Sequence, residues 1–234
     1  VEAILNWQYP YQDAIDKPAK LSVTEMKRRF DNIEQDGFGQ NMLMGEAKET
    51  KTFTRQRFKQ ELKELTGAEY GTLMHNVMQH LPLDIKSTQS AVRLNLEKMV
   101  EKEIILPEQL SMINLYGLTS FLKSDLAKRM KESQKVRREL PFSMMLDAGE
   151  IYDTMQSGNE KIFVQGVIDV LFDEGDKLIL LDYKTDKADE EERIRNRHAF
   201  QLNLYAKAIE KIFKKKVSEK YLYLFSMGKV IRVE

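Results

Sequence analysis

The amino-acid sequence predicts an α/β fold: a mixed central β-sheet flanked by helices, with a helical N-terminal portion. Three observations carry this. Two strand-like runs, Ile162 to Phe172 and Leu178 to Tyr183, flank Asp173-Glu174-Gly175-Asp176, whose glycine at the third turn position suits a tight hairpin. Between Thr66 and Leu126 the chain carries capping signals and apolar stripes at helical spacing. A helical pattern from about Ile194 to Lys214 then separates the hairpin from an apolar, aromatic strand at Tyr221 to Phe225. A crossover of that kind is expected to be right-handed.

Taken in order, Val1 to Lys20 is irregular, with W-Q-Y-P-Y-Q and K-P-A-K, and reads as a tether. Ser22-Val23-Thr24-Glu25 is a capping box opening a short basic helix through Arg28, Arg29 and Phe30. Asp31 to Thr54 is polar, holds Gly37, Gly39 and Gly45, and reads as a mobile loop or linker. Residues 1–60 are therefore expected to lead from an upstream part, and the chain, which begins at Val1, is read as a fragment of something longer. Residues 61–234 are expected to form the domain proper, with a helical block over 61–132 and the sheet over 135–234.

Thr66-Gly67-Ala68-Glu69 is a second capping box, starting a helix that Pro82 stops. Leu73, Met74, Val77, Met78 and Leu81 are its apolar stripe, His75 lies beside them, and Gly71 suggests a close approach to another element. Leu94, Leu96, Met99 and Val100 suit a further helix, Pro107 the first turn of the next, and Leu115, Leu118, Leu122 and Leu126 a third. Val136 to Leu146 is a strand whose Pro141 argues for a sheet edge or a bulge. Ser157-Gly158-Asn159 turns into the hairpin. Beyond Lys184 come four consecutive acids, Asp189 to Glu192, and a helix on which Leu202, Tyr205, Ile209 and Ile212 are spaced for burial. Met227-Gly228-Lys229 joins the Tyr221–Phe225 strand to Val230–Val233.

Composition excludes several chemistries. The chain has no cysteine, so disulfides, iron–sulfur clusters and thiolate zinc sites are ruled out within it. Formal net charge is zero, so no global basic character points to nucleic acid. Local basic patches at Phe121 to Arg138 and Lys207 to Lys220 are candidate phosphate-facing surfaces, though each taken singly is better read as a solvated helix face. There is no membrane-length apolar run and no signal peptide, and a cytoplasmic location is expected. No G-x-x-x-x-G-K-[ST] loop is present, so this stretch is not an ATP motor by itself.

Each run of the hairpin holds one carboxylate among apolar neighbours, Asp169 between Ile168 and Val170, and Asp182 after Leu180 and Leu181. A carboxylate in a buried strand is costly unless paired or bound to a cation. Lys184 lies two residues past Asp182, on the same face of a strand. Hard oxygen ligands suit Mg²⁺ or Mn²⁺, and a lysine suits a phosphate or an activated water. The pattern alone fits a structural ion-pair network as well. Gln201 and Tyr205, four apart, share a helix face.

Four motifs in order are G-x-x-x-H (Gly71, His75), G-V-I-D (Gly166 to Asp169), L-D-Y-K-T-D (Leu181 to Asp186) and Q-x-x-x-Y (Gln201, Tyr205). Together they resemble the nuclease domain of the RecB family, in the PD-(D/E)XK, restriction-endonuclease-like superfamily. Within it, the layout and the opening S-V-T-E-M-K-R-R are most similar to the C-terminal nuclease domains of bacterial AddAB-type helicase–nucleases. The resemblance implies a restriction-endonuclease-like core and a Mg²⁺-dependent deoxyribonuclease, with Mn²⁺ as a substitute. It implies exonuclease-type action in double-strand-break repair and homologous recombination. His75, Asp169, Asp182 and the backbone carbonyl of Tyr183 would be metal ligands. Asp169, Asp182 and Lys184 would be catalytic, with Lys184 beside the attacking water, while Gln201 and Tyr205 would support the site and touch DNA. The implied partners are DNA, an AddB-like subunit and a parent helicase domain in the same polypeptide. The alternative reading is a nuclease-like module that binds DNA or docks onto its partner without cutting.

Overall fold

The computed structural model describes residues 17–28, 65–152, 160–186 and 190–234. Most of the expected tether, the Asp31 to Thr54 loop, Arg29, Phe30 and the Ser157-Gly158-Asn159 turn lie outside these residues. Six strands form one mixed sheet: β1 (Lys20–Ser22), β2 (Val136–Asp147), β3 (Lys161–Glu174), β4 (Lys177–Lys184), β5 (Val217–Leu224) and β6 (Lys229–Val233). Their order is β1-β3-β4-β5-β6, with β2 on the other edge of β3. The meander β2–β3–β4 is antiparallel, and helix α5 (Glu191–Phe213) crosses to β5, which lies parallel to β4. Helices α1 (Gly67–His80), α2 (Gln89–Glu101), α3 (Leu115–Lys123) and α4 (Asp125–Glu132) make the helical block.

Local chemistry places these elements. The Thr66 side chain accepts from the Glu69 N–H and Glu69 reaches back to the Thr66 N–H, closing the capping box of α1. The hairpin turn is tighter than the sequence suggests. Glu174 pairs with Lys177, so Gly175 is the first of two central residues, at φ +60°, where a side chain would be strained. The stripe from Leu115 to Leu126 breaks into two helices because Ser124 ends α3 and caps α4, accepting from the Ala127 N–H. Helix α5 begins three residues earlier than its apolar spacing implies. Glu191 and Glu192 occupy its first turn, where the helix dipole favours acids. Strand β5 likewise starts at Val217, held between β4 and β6. Leu94 and Ile212 are exposed, not core.

Each sheet face carries its own core. One joins α1–α4 to Val170, Phe172, Ile179, Leu181 and Tyr223; the other joins α5 to Val164, Ile168, Leu171, Leu180 and Leu222. Alternation along β3 reverses between Ile168 and Val170, which face opposite cores despite being two apart. The same reversal occurs in β2, where Val136 packs with the helical block and Phe142 and Met144 with the α5 side. Glu139, at φ +49°, sits at the reversal in β2, and Asp169 sits there in β3. The two-stranded ribbon thus turns over at the level of these two acids. Pro141 lies in an edge strand with this irregularity beside it, as its missing N–H requires.

The N-terminal segment packs on the α5 side. Ser22 caps the helical residues 23–28, with Glu25 Oε2 accepting from the Ser22 N–H at 2.7 Å. Lys27 Nζ lies 2.9 Å from Nδ1 of buried His198 on α5. An ammonium donating to Nδ1 requires the neutral imidazole with its proton on Nε2, which faces Asp186 at 3.5 Å. Burial, opposed by the Asp186 carboxylate and aided by Lys184 and Lys27, holds the His198 pKa below the ordinary histidine value. Protonation therefore favours the unfolded chain. The contribution is complete above the unfolded pKa of about 6.5 and is lost as pH falls through it. Relative to the wild-type chain, His198→Gln is expected to gain in urea midpoint as pH is lowered from 7.5 to 5.5, a comparison in which the opposite contribution of other groups cancels; a difference that does not change with pH would refute this assignment.

Candidate metal centre and active site

The site lies where β3 and β4 part. Their ladder runs from Glu174–Lys177 only to Val170–Leu181, after which β4 follows β5 as far as Lys184–Leu224. Along its outer edge β4 is still paired, with Lys184 O accepting from the Phe225 N–H. On the side of the fork, the Tyr183 peptide groups have lost their strand partner, and buried peptide groups need one. Asp169 Oδ2 accepts from the Tyr183 N–H at 2.6 Å. His75 Nε2 lies 3.1 Å from Tyr183 O. A single residue's backbone therefore ties the β3 carboxylate to the α1 imidazole.

Helix α1 delivers His75 by running across the fork with Leu73, Met74, Val77 and Met78 buried beneath it. Gly71, one turn earlier, faces the chain leaving β4, and a Cβ there would stand 3.4 Å from Thr185 Oγ1. His75 Nδ1 lies 3.2 Å from Asp169 Oδ1 and 3.8 Å from Glu139 Oε1. Burial works against charge on this ring. Hydrogen bonds to Asp169 and Glu139, with the fields of Asp169 and Asp182, outweigh it and raise the His75 pKa to about 10. With no cation bound, both ring nitrogens then carry protons, one directed at Asp169 and one at the Tyr183 carbonyl, and ligation by His75 requires the loss of one of them.

Glu139 is a site residue that the sequence reading treated only as part of a strand. Its neighbours pair as Arg138↔Val170 and Leu140↔Ile168, which sets Glu139 across from Asp169. Like charges so placed repel across a ladder. Ligand atoms of His75, Glu139 and Asp169 lie within 4.8 Å of one another.

Asp182 and Lys184 share a face of β4, as alternation predicts. Lys184 Nζ lies 2.5 Å from Asp182 Oδ2. Gln201 Nε2 on α5 lies 3.4 Å from Asp182 Oδ1 and donates to Tyr205 Oη at 2.8 Å. Asp182 is 1% exposed, and burial with nearby Asp169 raises its pKa against the pull of Lys184. Burial opposes the Lys184 charge, but Asp182 and Asp169 hold its pKa above that of a free lysine. Lys184 therefore stays charged. Asp182 contacts Lys184 and Gln201 and is not part of the tight His75–Glu139–Asp169 group.

The donor set fits a hard divalent cation: carboxylates, one imidazole and one peptide carbonyl. A second observation agrees. Asp182 Oδ2 is buried with the Lys184 ammonium as its contact among the described residues, and a carboxylate oxygen so placed has a further lone pair to offer a cation.

A mixed sheet forked over paired acids and a lysine, with helices on both faces, is a nuclease scaffold. The chain belongs to the PD-(D/E)XK nuclease superfamily, whose sequence profile matches residues 50–232. The whole chain is also similar to curated proteins named as ATP-dependent helicase/nuclease subunits of the AddA type. Identity is 40% with the protein from Desulforamulus reducens, covering 100% of this chain and 18% of that protein. It is 42% with that from Pelotomaculum thermopropionicum, covering 100% and 19%, and 41% with that from a Thermoanaerobacter species, covering 99% and 19%. The chain thus spans under a fifth of the length of these relatives.

The Tyr183 ring lies in the helical-block core, against Phe121 and Phe225 at 5.5 and 5.6 Å, and meets the His75 ring edge-on at 6.2 Å. Its hydroxyl is buried with no hydrogen-bond partner among the described residues. Tyr183→Phe is expected to keep or raise stability, by up to about 1–3 kcal/mol in chemical denaturation. Nuclease activity should persist, since the variant keeps both the peptide and the ring contact with His75; a destabilised variant would show that the hydroxyl is paired.

Proposed function

We propose that this chain is a metal-dependent DNA nuclease that hydrolyses phosphodiester bonds as the nuclease domain of a larger helicase–nuclease. The observation that carries this is the fork itself, where His75, Asp169 and the Tyr183 carbonyl converge beside the Asp182–Lys184 pair. His75, Asp169, Asp182 and the Tyr183 carbonyl would hold Mg²⁺, with Mn²⁺ able to replace it, and Glu139 adds a carboxylate to that set. When bound, such a cation supplies Lewis-acid stabilisation of phosphate charge and lowers the pKa of a water.

The chain's own groups supply the rest. Lys184 keeps its proton and presents positive charge where the attacking water and the phosphate oxygens meet. Asp182 holds the Lys184 ammonium in place, and Gln201 bridges Asp182 to Tyr205. The Tyr205 hydroxyl and the Gln201 amide then face the DNA backbone. Attack in line with the leaving oxygen would yield a 5′-phosphate and a 3′-hydroxyl. Exonuclease-type action in double-strand-break repair and recombination is part of this proposal, and the similarity to proteins named as helicase/nuclease subunits supports its nuclease part. The same names support a helicase domain in the same polypeptide, and an AddB-like partner is proposed with it. No described helix is long and apolar enough to cross a membrane.

Digestion of linear and circular, single- and double-stranded DNA with Mg²⁺, Mn²⁺ or EDTA tests this. Asp182→Ala should abolish cutting and spare DNA binding; metal-independent cutting, or DNA binding without any cutting, would overturn the proposal. Lys184→Ala should lower the rate roughly 10²–10³-fold, the usual loss for one preorganised donor, while Mn²⁺ binding persists. Equal loss of both would make Lys184 structural.

A further inference from the structure

Arg138 immediately precedes Glu139 in β2, and its guanidinium does not go to a carboxylate. Its Nη1 lies 2.9 Å from Met78 O, 3.0 Å from Gln79 O and 2.7 Å from Leu81 O. These carbonyls belong to the last turn and the C-cap of α1, where a helix leaves acceptors unmatched and its dipole is negative. Two N–H groups are thus shared among three oxygens at one helix end.

Consecutive residues of a regular strand point to opposite faces. Here the ribbon turns over at Glu139, so Arg138 and Glu139 both address α1, one at its C-terminal end and one at His75. His75 lies three residues before Met78, about 4.5 Å along the helix axis. The other contacts that seat α1 are chiefly apolar, through Leu73, Met74, Val77 and Met78, and apolar packing has no preferred direction along the axis. Asn76 donates to Ile104 O, which fixes α1 within the helical block but not to the sheet.

We propose that Arg138 is a positioning residue for the metal centre, clamping the end of α1 to β2 and so setting how His75 meets Asp169 and the Tyr183 carbonyl. This rests on the reading of the site as a cation-binding nuclease centre. Among the described residues no hydrogen bond or ion pair joins the Arg138 guanidinium to His75, Glu139, Asp169 or Asp182; it acts through His75.

A double-mutant cycle on Mn²⁺ affinity, read by electron paramagnetic resonance without DNA, tests it. Arg138→Met should weaken Mn²⁺ binding about tenfold, the lower range for groups that orient a metal ligand. Arg138→Lys, a donor cluster on a shorter stem, should recover affinity to within about threefold of wild type. In a His75→Ala background the Arg138→Met change should shrink to under about twofold, because the group it positions is gone. Circular dichroism confirms folding, and Arg138→Gln carries the cycle if the methionine variant does not fold, with the same dependence on His75. A loss of equal size in both backgrounds would make Arg138 a general structural anchor and overturn the proposal. So would unchanged affinity in the folded Arg138→Met chain. A wild-type chain that binds no Mn²⁺ would instead overturn the nuclease-site reading itself.

Discussion

The backbone of Tyr183 is the constraint on which the rest of this structure depends. Wherever two strands of a sheet diverge, the inner edge of each exposes peptide groups that need partners. At this fork no neighbouring strand supplies them. The N–H goes to the Asp169 carboxylate and the carbonyl faces the His75 ring. Satisfying the peptide therefore assembles the site, and assembling the site fixes how far the strands open. The carboxylate of β3 cannot leave without orphaning a buried N–H, and an orphaned donor costs on the order of 1–3 kcal/mol.

The same spot concentrates charge that folding would otherwise avoid. Glu139 and Asp169 face one another across the ladder, and Asp182 is buried beside them. Two cations, Lys184 and protonated His75, keep the cluster from being uniformly negative. A core of apolar residues in these positions would be simpler and often at least as stable. The arrangement makes sense as one in which chemistry, not stability, decides the residues, and the Glu139 backbone at positive φ belongs to the same compromise.

Much of this was legible in the chain because it depends on short periods. Alternation alone puts Asp182 and Lys184 on one face, and a spacing of four puts Gln201 over Tyr205; both pairs are in contact. The Thr66–Glu69 capping box marks the start of α1 because capping is local. His75 was legible only through family resemblance, since nothing in its own surroundings separates a ligand from a core histidine. Glu139 was not legible at all. Its place opposite Asp169 depends on a register between residues thirty apart in the chain and on a backbone turn that no propensity signals. Leu94 and Ile212 failed for a related reason. An apolar residue at helical spacing predicts a buried face only if another element covers it, and none among the described residues covers these two.

The two hydrophobic cores meet the site from opposite sides of the sheet. Through α1, the helical-block core carries His75; through α5, the other carries Gln201 and Tyr205. Between them lies only the thickness of one strand. A slide of either helical layer over the sheet repacks the core beneath it and also changes the spacing of the groups at the fork, because they are anchored in different layers. The site is in this sense a gauge of the fit between the two halves: its geometry holds only while both helical layers keep their seats on the sheet.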